Sequence, residues 1–171
     1  PDPRTLTATM LGAEEAPIPS LPAVKTCGAL AHVLCAAAAE RRGVHEAVRT
    51  AAGLLLEASA SNLFWEADGE LYTPSDSLPL YPGVTRSVVI REARRAGWIV
   101  HEGEFDPRVL ESAGGAFLTN AVRGLEPIAE LDGTPLDWPA TLEALRATVE
   151  EARIEGGLPV ADGAGPSDGT R

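Results

Sequence analysis

The sequence predicts a mixed α and β domain with much local antiparallel pairing, not a regular doubly wound sheet. Short apolar runs of strand character cluster between residues 44 and 73 and again between 98 and 131. Helical periodicity is confined to separate stretches, the longest at 27–42, 83–97 and 140–153. The pairs Asp68-Gly69 and Asp132-Gly133 follow apolar runs and mark tight reversals.

Taken in order, residues 5–10 (Thr-Leu-Thr-Ala-Thr-Met) alternate as a leading strand, and 14–22 read as a loop. From Cys27 to Arg42 the residues Leu30, Val33, Leu34, Ala37 and Ala38 recur at helical spacing as the expected inward face. Arg41-Arg42-Gly43 forms a basic last turn and a glycine stop. Val44–Thr50, Leu54–Ser59 and Leu63–Ala67 are expected strands, the last turning through Asp68-Gly69 into Leu71-Tyr72-Thr73. After a loop at 74–82, Gly83 opens a helix with Val88, Val89, Ala93 and Ala96 inward, ended at Gly97. Trp98–Phe105 alternates as a strand. Asp106 caps a short helix with Pro107 at its first position and Val109 and Leu110 on its buried side. Ala116–Thr119 and Leu125–Leu131 are strands, and Ala140–Arg153 is a last helix with Leu142, Leu145 and Val149 inward. Beyond Ile154 the composition is Gly, Pro and Asp with little to bury, so a disordered tail is expected. The resulting division is 1–22 as leading strand and linker, 23–153 as the domain, and 154–171 as tail.

With 171 residues, 44% of them hydrophobic, the chain holds enough apolar side chain for one core. A net charge of −11 repels phosphates, which argues against nucleic acid or an anionic membrane surface as partner. No apolar run is long enough to be read as a membrane-spanning helix. Cys27 and Cys35, eight residues apart on one expected helix, would lie about 12 Å apart, too far for a disulfide. Two free thiols suit a reducing cytoplasm, the expected location. His32, His45 and His101 are scattered without metal-ligand spacing, so no metal is expected.

Candidate chemistry begins at Lys25, the sole lysine of the sequence, since a lysine amine of lowered pKa is the side chain that forms Schiff bases. Glu57 interrupts the apolar run Leu54-Leu55-Leu56; it either points to solvent on a half-exposed strand or is buried against a cation. Gly83-Val84-Thr85 at a helix start offers unpaired backbone N–H groups and a positive dipole end. Those would suit a phosphate, although plain capping reads the same way. A second small polar turn follows a strand at Thr119-Asn120-Ala121. An amine, a carboxylate on a strand and an anion-binding helix start are the three contacts that pyridoxal phosphate requires.

These residues carry a resemblance. Lys25-Thr26, the run Glu57-Ala58-Ser59-Ala60-Ser61-Asn62-Leu63-Phe64-Trp65, Tyr72-Thr73-Pro74, Leu80-Tyr81-Pro82-Gly83-Val84-Thr85-Arg86, and Phe117-Leu118-Thr119-Asn120 with Pro127 beyond resemble the class IV, or fold type IV, pyridoxal-phosphate enzymes. The similarity runs from about Val24 to Asp132 in several blocks whose order and spacing are kept. It implies the large C-terminal domain of a D-amino acid aminotransferase-like fold, a pseudo-barrel of mostly antiparallel strands with flanking helices. It also implies pyridoxal 5'-phosphate as cofactor, an amino compound as small-molecule substrate, and a homodimer. By position, Lys25 matches the Schiff-base lysine and Glu57 the residue facing the pyridine nitrogen. Gly83, Val84 and Thr85 match the phosphate loop, Asn120 and Ala121 the second phosphate-side turn, and Arg86 an arginine of structural role. Arg123 lies where it would either reach a substrate carboxylate or remain a solvated loop arginine.

The Asn-Leu-Phe-Trp and Tyr-Thr-Pro wording is most similar to 4-amino-4-deoxychorismate lyase, which releases pyruvate and leaves 4-aminobenzoate on the way to folate. The alternatives are a branched-chain or D-amino acid aminotransferase and a truncated, non-catalytic remnant that binds the cofactor. Two departures stand out. Gly28 and Ala29 replace the Asn and bulky residue that many members have after the lysine. The smaller N-terminal domain, which supplies a phosphate-binding arginine, has no counterpart in the sequence, so either the chain is a fragment or another chain completes it.

Overall fold

The computed structural model describes residues 5–12, 14–15 and 30–156. Its elements are β1 (Leu6–Leu11), α1 (Leu30–Arg41), β2 (Glu46–Ala51), β3 (Leu54–Ala58), β4 (Asn62–Ala67), β5 (Glu70–Pro74), α2 (Val84–Arg95), β6 (Val100–Gly103), a 3-10 turn (Pro107–Ser112), β7 (Gly115–Asn120), β8 (Gly124–Leu131), β9 (Thr134–Pro135) and α3 (Ala140–Glu155). The strands form one sheet in the order β3-β2-β1-β8-β7-β4-β5-β6, with β9 paired to β8. Most neighbours are antiparallel; β1 runs parallel to both β2 and β8, and β5 parallel to β6. The leading strand therefore lies inside the sheet.

The sheet curls until its two ends meet. Leu55 of β3 donates its N–H to the carbonyl of Phe105, just past β6, at 2.8 Å. Alternation along the strands then separates an inside from an outside. Leu63 and Trp65 of β4 and Ala116 and Leu118 of β7 join Leu6, Val48, Leu55 and Ile128 in the barrel interior. Phe64 and Phe117 face outward, stacked with centroids 5.1 Å apart, under α2 and α3 with Leu71, Val89, Leu142 and Val149. Phe64 stands directly opposite Phe117 in the β4–β7 register, so strand pairing itself sets this aromatic pair.

Three reversals use two residues at positive φ, the geometry that matches strand twist: Ala52-Gly53, Asp68-Gly69 and Asp132-Gly133. The helix stops are also chemical. Gly43 and Gly97 both have positive φ, and the residue after each donates its N–H five residues back, Val44 to Ala39 and Trp98 to Ala93, which closes α1 and α2 in Schellman geometry.

Several expectations need correction. The buried face of α1 is Ala31, Cys35, Ala38 and Ala39, whereas Leu30 and Val33 are exposed. The helix approaches β1 and β2 closely, packing on Leu11 and Ala47, and only small side chains fit between. Ala96 of α2 is exposed, because the helix has ended before it. The strand expected over 98–105 is limited to Val100–Gly103, and the short β9 was not foreseen. Cys27 lies outside the described residues, as do most of the expected linker and most of the expected tail.

Ala52 occupies a left-handed position that costs an L side chain about 1–2 kcal/mol unless Gly or Asn fills it. Ala52→Asn should therefore raise the unfolding free energy by about 1 kcal/mol, read as a higher urea midpoint with an unchanged slope.

Candidate functional site

Glu57 enters the site through a β-bulge. The β2–β3 register pairs Thr50 with Leu55 and then Val48 with Ala58, so Leu56 and Glu57 together stand opposite the single residue Arg49. Leu56 packs against Leu78 and Leu80 of the loop that leads toward α2. Glu57 is buried, 4% exposed. Its Oε1 accepts from Arg49 Nη2 at 2.9 Å and its Oε2 from the Tyr81 backbone N–H at 2.9 Å. Of the two readings open at the sequence level, the buried and paired one holds.

Burial dominates the electrostatics of this carboxyl and pushes its pKa from 4.5 up to about 7, against the opposing pull of the Tyr81 N–H and the Arg49 charge. On the α1 side, His32 Nε2 lies 3.9 Å from Glu57 Oε1 while its Nδ1–H donates to the Ser59 carbonyl at 3.0 Å. Burial and the Arg49 charge lower the His32 pKa. Cys35, on the same helix, has its thiol pushed up to about 11 by burial.

The path from Glu57 to the start of α2 is short. Tyr81, whose N–H Glu57 holds, is two residues before Gly83; its carbonyl accepts from Asn62 Nδ2 at 2.7 Å. Asn62 Nδ2 also lies 3.4 Å from Glu57 Oε2. A Cβ on Gly83 would run into Asn62 Oδ1, so the glycine is required by close approach, with an ordinary φ of −63°. The first turn of α2 has no side-chain cap. Thr85 Oγ1 is buried without a hydrogen-bond partner among the described residues. An uncapped helix start with an orphaned hydroxyl fits an anionic group, and Glu57 one short relay away fits a basic ring nitrogen. By these two observations the residues suit a phosphorylated pyridine. Lys25 lies outside the described residues.

The second turn is joined to the same place, since Asn120 Nδ2 donates to Ser61 Oγ at 3.0 Å, in the loop just after β3. Asn120 Oδ1 accepts from the N–H groups of Val122 and Arg123, and the Ala121 carbonyl accepts from Arg153 Nη2 at 2.9 Å. Arg123 is not solvated freely: its Nη2 lies 2.6 Å from Glu46 Oε1 and its Nε 2.5 Å from Glu126 Oε2. Ser59 Oγ also donates to Glu46 Oε2. Arg86 is buried and ties α2 to the sheet through Pro74 O and Glu102.

Sequence reasoning missed Arg49, Asn62, Ser61 and Glu46. A signal for Arg49 existed: a two-residue reversal at Ala52-Gly53 sets residue 49 across from 56 or 57.

The raised Glu57 pKa fixes the sign of a pH effect. The folded chain binds this proton more tightly than the unfolded chain, so the contribution is present below about pH 4.5 and is lost as pH rises through about 7. Relative to Glu57→Gln, the wild type should lose on the order of a few kcal/mol of stability across that window, measured by urea unfolding at a series of pH values. A difference between the two proteins that stays constant with pH would rule this out.

Comparison with known proteins agrees with this geometry. The Amino-transferase class IV family model matches residues 4–131. A Methanocaldococcus jannaschii protein, provisionally named a branched-chain-amino-acid aminotransferase, is 30% identical over 145 residues, covering 82% of this chain and 50% of the relative. D-alanine aminotransferase of Listeria monocytogenes is 29% identical over 110 residues, covering 64% of this chain and 38% of the relative. The chain thus spans half or less of the length of these relatives. Among solved structures, a Legionella pneumophila protein provisionally named 4-amino-4-deoxychorismate lyase superposes with TM-score 0.79 at 21% identity, covering 86% of this chain and 56% of that one, which shows the fold. Branched-chain aminotransferase of Thermoproteus uzoniensis superposes with TM-score 0.78 at 26% identity, over 91% and 53% of the two chains. An aminotransferase of Brucella abortus bound to pyridoxal phosphate does so with TM-score 0.75 at 25% identity, over 89% and 55%. With a curled, mostly antiparallel sheet, an acid beside an uncapped helix start and a match over residues 4–131, the chain belongs to the class IV aminotransferase family of pyridoxal-phosphate enzymes.

Proposed function

We propose that this chain carries the cofactor-binding part of an enzyme that converts 4-amino-4-deoxychorismate to 4-aminobenzoate and pyruvate. The observation that carries the cofactor assignment is the hydrogen-bonded relay of Glu57, Tyr81 and Asn62, against which Gly83 at the start of α2 lies. The lyase assignment is supported by the wording Asn62-Leu63-Phe64-Trp65 and Tyr72-Thr73-Pro74.

Pyridoxal phosphate, when bound, supplies an electron sink for bonds at the substrate carbon that bears the amine. Lys25 would hold the cofactor through its Nζ and would move the proton at that carbon. Glu57 balances positive charge at the ring nitrogen, a role its burial strengthens because few other charges screen it. The N–H groups of Val84 and Thr85 and the Thr85 hydroxyl would bind its phosphate, with Gly83 allowing the loop to lie against Asn62. Asn120 and Ala121 would border the phosphate from the other turn, and Arg123, held by Glu46 and Glu126, shapes that turn. A homodimer is part of the same proposal.

A second reading, an aminotransferase, is favoured by the names of the two relatives. In that case Lys25 carries out a proton shift and the amine passes to a 2-oxo acid. Supplying 4-amino-4-deoxychorismate separates the two: release of pyruvate with 4-aminobenzoate supports the lyase, and amine transfer to 2-oxoglutarate replaces it. Colour without either product would leave the cofactor-binding remnant.

Purified protein given pyridoxal phosphate should show visible absorbance that Lys25→Ala abolishes; a colourless wild type would refute the cofactor assignment. Gly83→Ala should weaken cofactor binding about tenfold, the worth of roughly one displaced hydrogen bond, as read by cofactor titration.

A further inference from the structure

Arg49 is the buried cation that pairs with Glu57. It lies on the face of β2 that α1 covers, is 2% exposed, and donates Nη2 to Glu57 Oε1 at 2.9 Å. Its Nε and Nη1 are buried without a hydrogen-bond partner among the described residues. A guanidinium that makes one bond while two of its nitrogens go unsatisfied is a poor stabilising element, because a leucine-sized side chain would fill the same space without that desolvation cost. The side chain makes physical sense through what it does to Glu57.

We propose that Arg49 is a positioning residue of the cofactor site, whose buried charge favours the ionised form of Glu57 and holds its carboxylate turned toward the ring nitrogen. The proposal rests on the cofactor reading for what Glu57 faces, but the coupling between the two side chains does not. Among the described residues, four elements surround Glu57. β2 contributes Arg49 and, farther along, Glu46, whose carboxylate is taken by Arg123 and Ser59. α1 contributes His32 and Cys35, both held toward their neutral forms by burial. The loop before α2 contributes the Tyr81 N–H, and β4 contributes the Asn62 amide. Among the described residues, Arg49 is thus the one permanent cation at hydrogen-bond distance from Glu57. The bulge makes the pairing possible by setting Leu56 and Glu57 against one residue of β2.

The test is a carbon-detected NMR titration of glutamate carboxyls in the cofactor-free, full 171-residue chain, with the Glu57 signal assigned by its loss in Glu57→Gln. Arg49→Gln, similar in size and uncharged, should raise the Glu57 midpoint by about one to three pH units, and Arg49→Lys should hold it near the wild-type position. The wild type gives a reading that needs no variant to fold: the Arg49 Nε signal should titrate with the Glu57 midpoint. The proposal is overturned if Arg49→Gln leaves the midpoint in place, if Arg49→Lys shifts it as far as Arg49→Gln, or if Arg49 Nε shows no transition with Glu57. Failure of the cofactor reading appears separately, as a wild type that stays colourless with pyridoxal phosphate.

Discussion

Burying one carboxyl group shapes more of this molecule than any other single requirement. Glu57 sits where two strands and a loop meet, and each must send it a donor for the group to be tolerated away from water. β2 supplies a guanidinium, the loop before α2 a backbone N–H, and β4 an amide. That requirement places the start of α2 beside the acid, because the N–H comes from Tyr81, two residues ahead of Gly83. The distance between acid and helix start is thus a consequence of satisfying Glu57.

Closure of the sheet supplies the rigidity behind this arrangement. β3 lies at one end of the strand order, and without a partner on its far side it would be an exposed edge. The bond from Leu55 to Phe105 ties that edge to the segment after β6, and the interior side chains of β1, β2, β3, β4, β7 and β8 then pack as one cluster. Outside the barrel, α2 is held by the Phe64–Phe117 pair and α3, and by the Arg86 bridge to Pro74 and Glu102. A helix fixed at its side and along its length presents its first turn at a constant place. Preorganisation of this kind is what an anion site at a helix start depends on.

The second turn shows the same economy by different means. Asn120 spends both ends of its amide on local structure, accepting from two N–H groups of its own turn and donating to Ser61. Arg123 and Arg153 brace the turn from either side, through Glu46 and Glu126 and through the Ala121 carbonyl. Two buried acids, Glu46 and Glu57, therefore frame the loop between β3 and β4, each neutralised by an arginine from a different part of the chain.

Periodicity, glycine stops and Asp-Gly reversals were enough to place nearly every element, because these signals depend on residues adjacent in sequence: Gly43 and Gly97 end their helices as a glycine stop should, and Asp68-Gly69 turns as that pair should. The blocks around Glu57 and Gly83 likewise marked the cofactor family from the sequence alone. What the sequence could not decide was which side of an element meets another. Leu30 and Val33 are the more apolar residues of α1, yet the alanines face inward, since the space left against β1 and β2 is set by how near the helix comes. Nor could local pattern settle whether Glu57 meets water or Arg49, because a single extra residue in a strand changes the answer, and only the pairing of β2 with β3 in three dimensions shows where that residue goes.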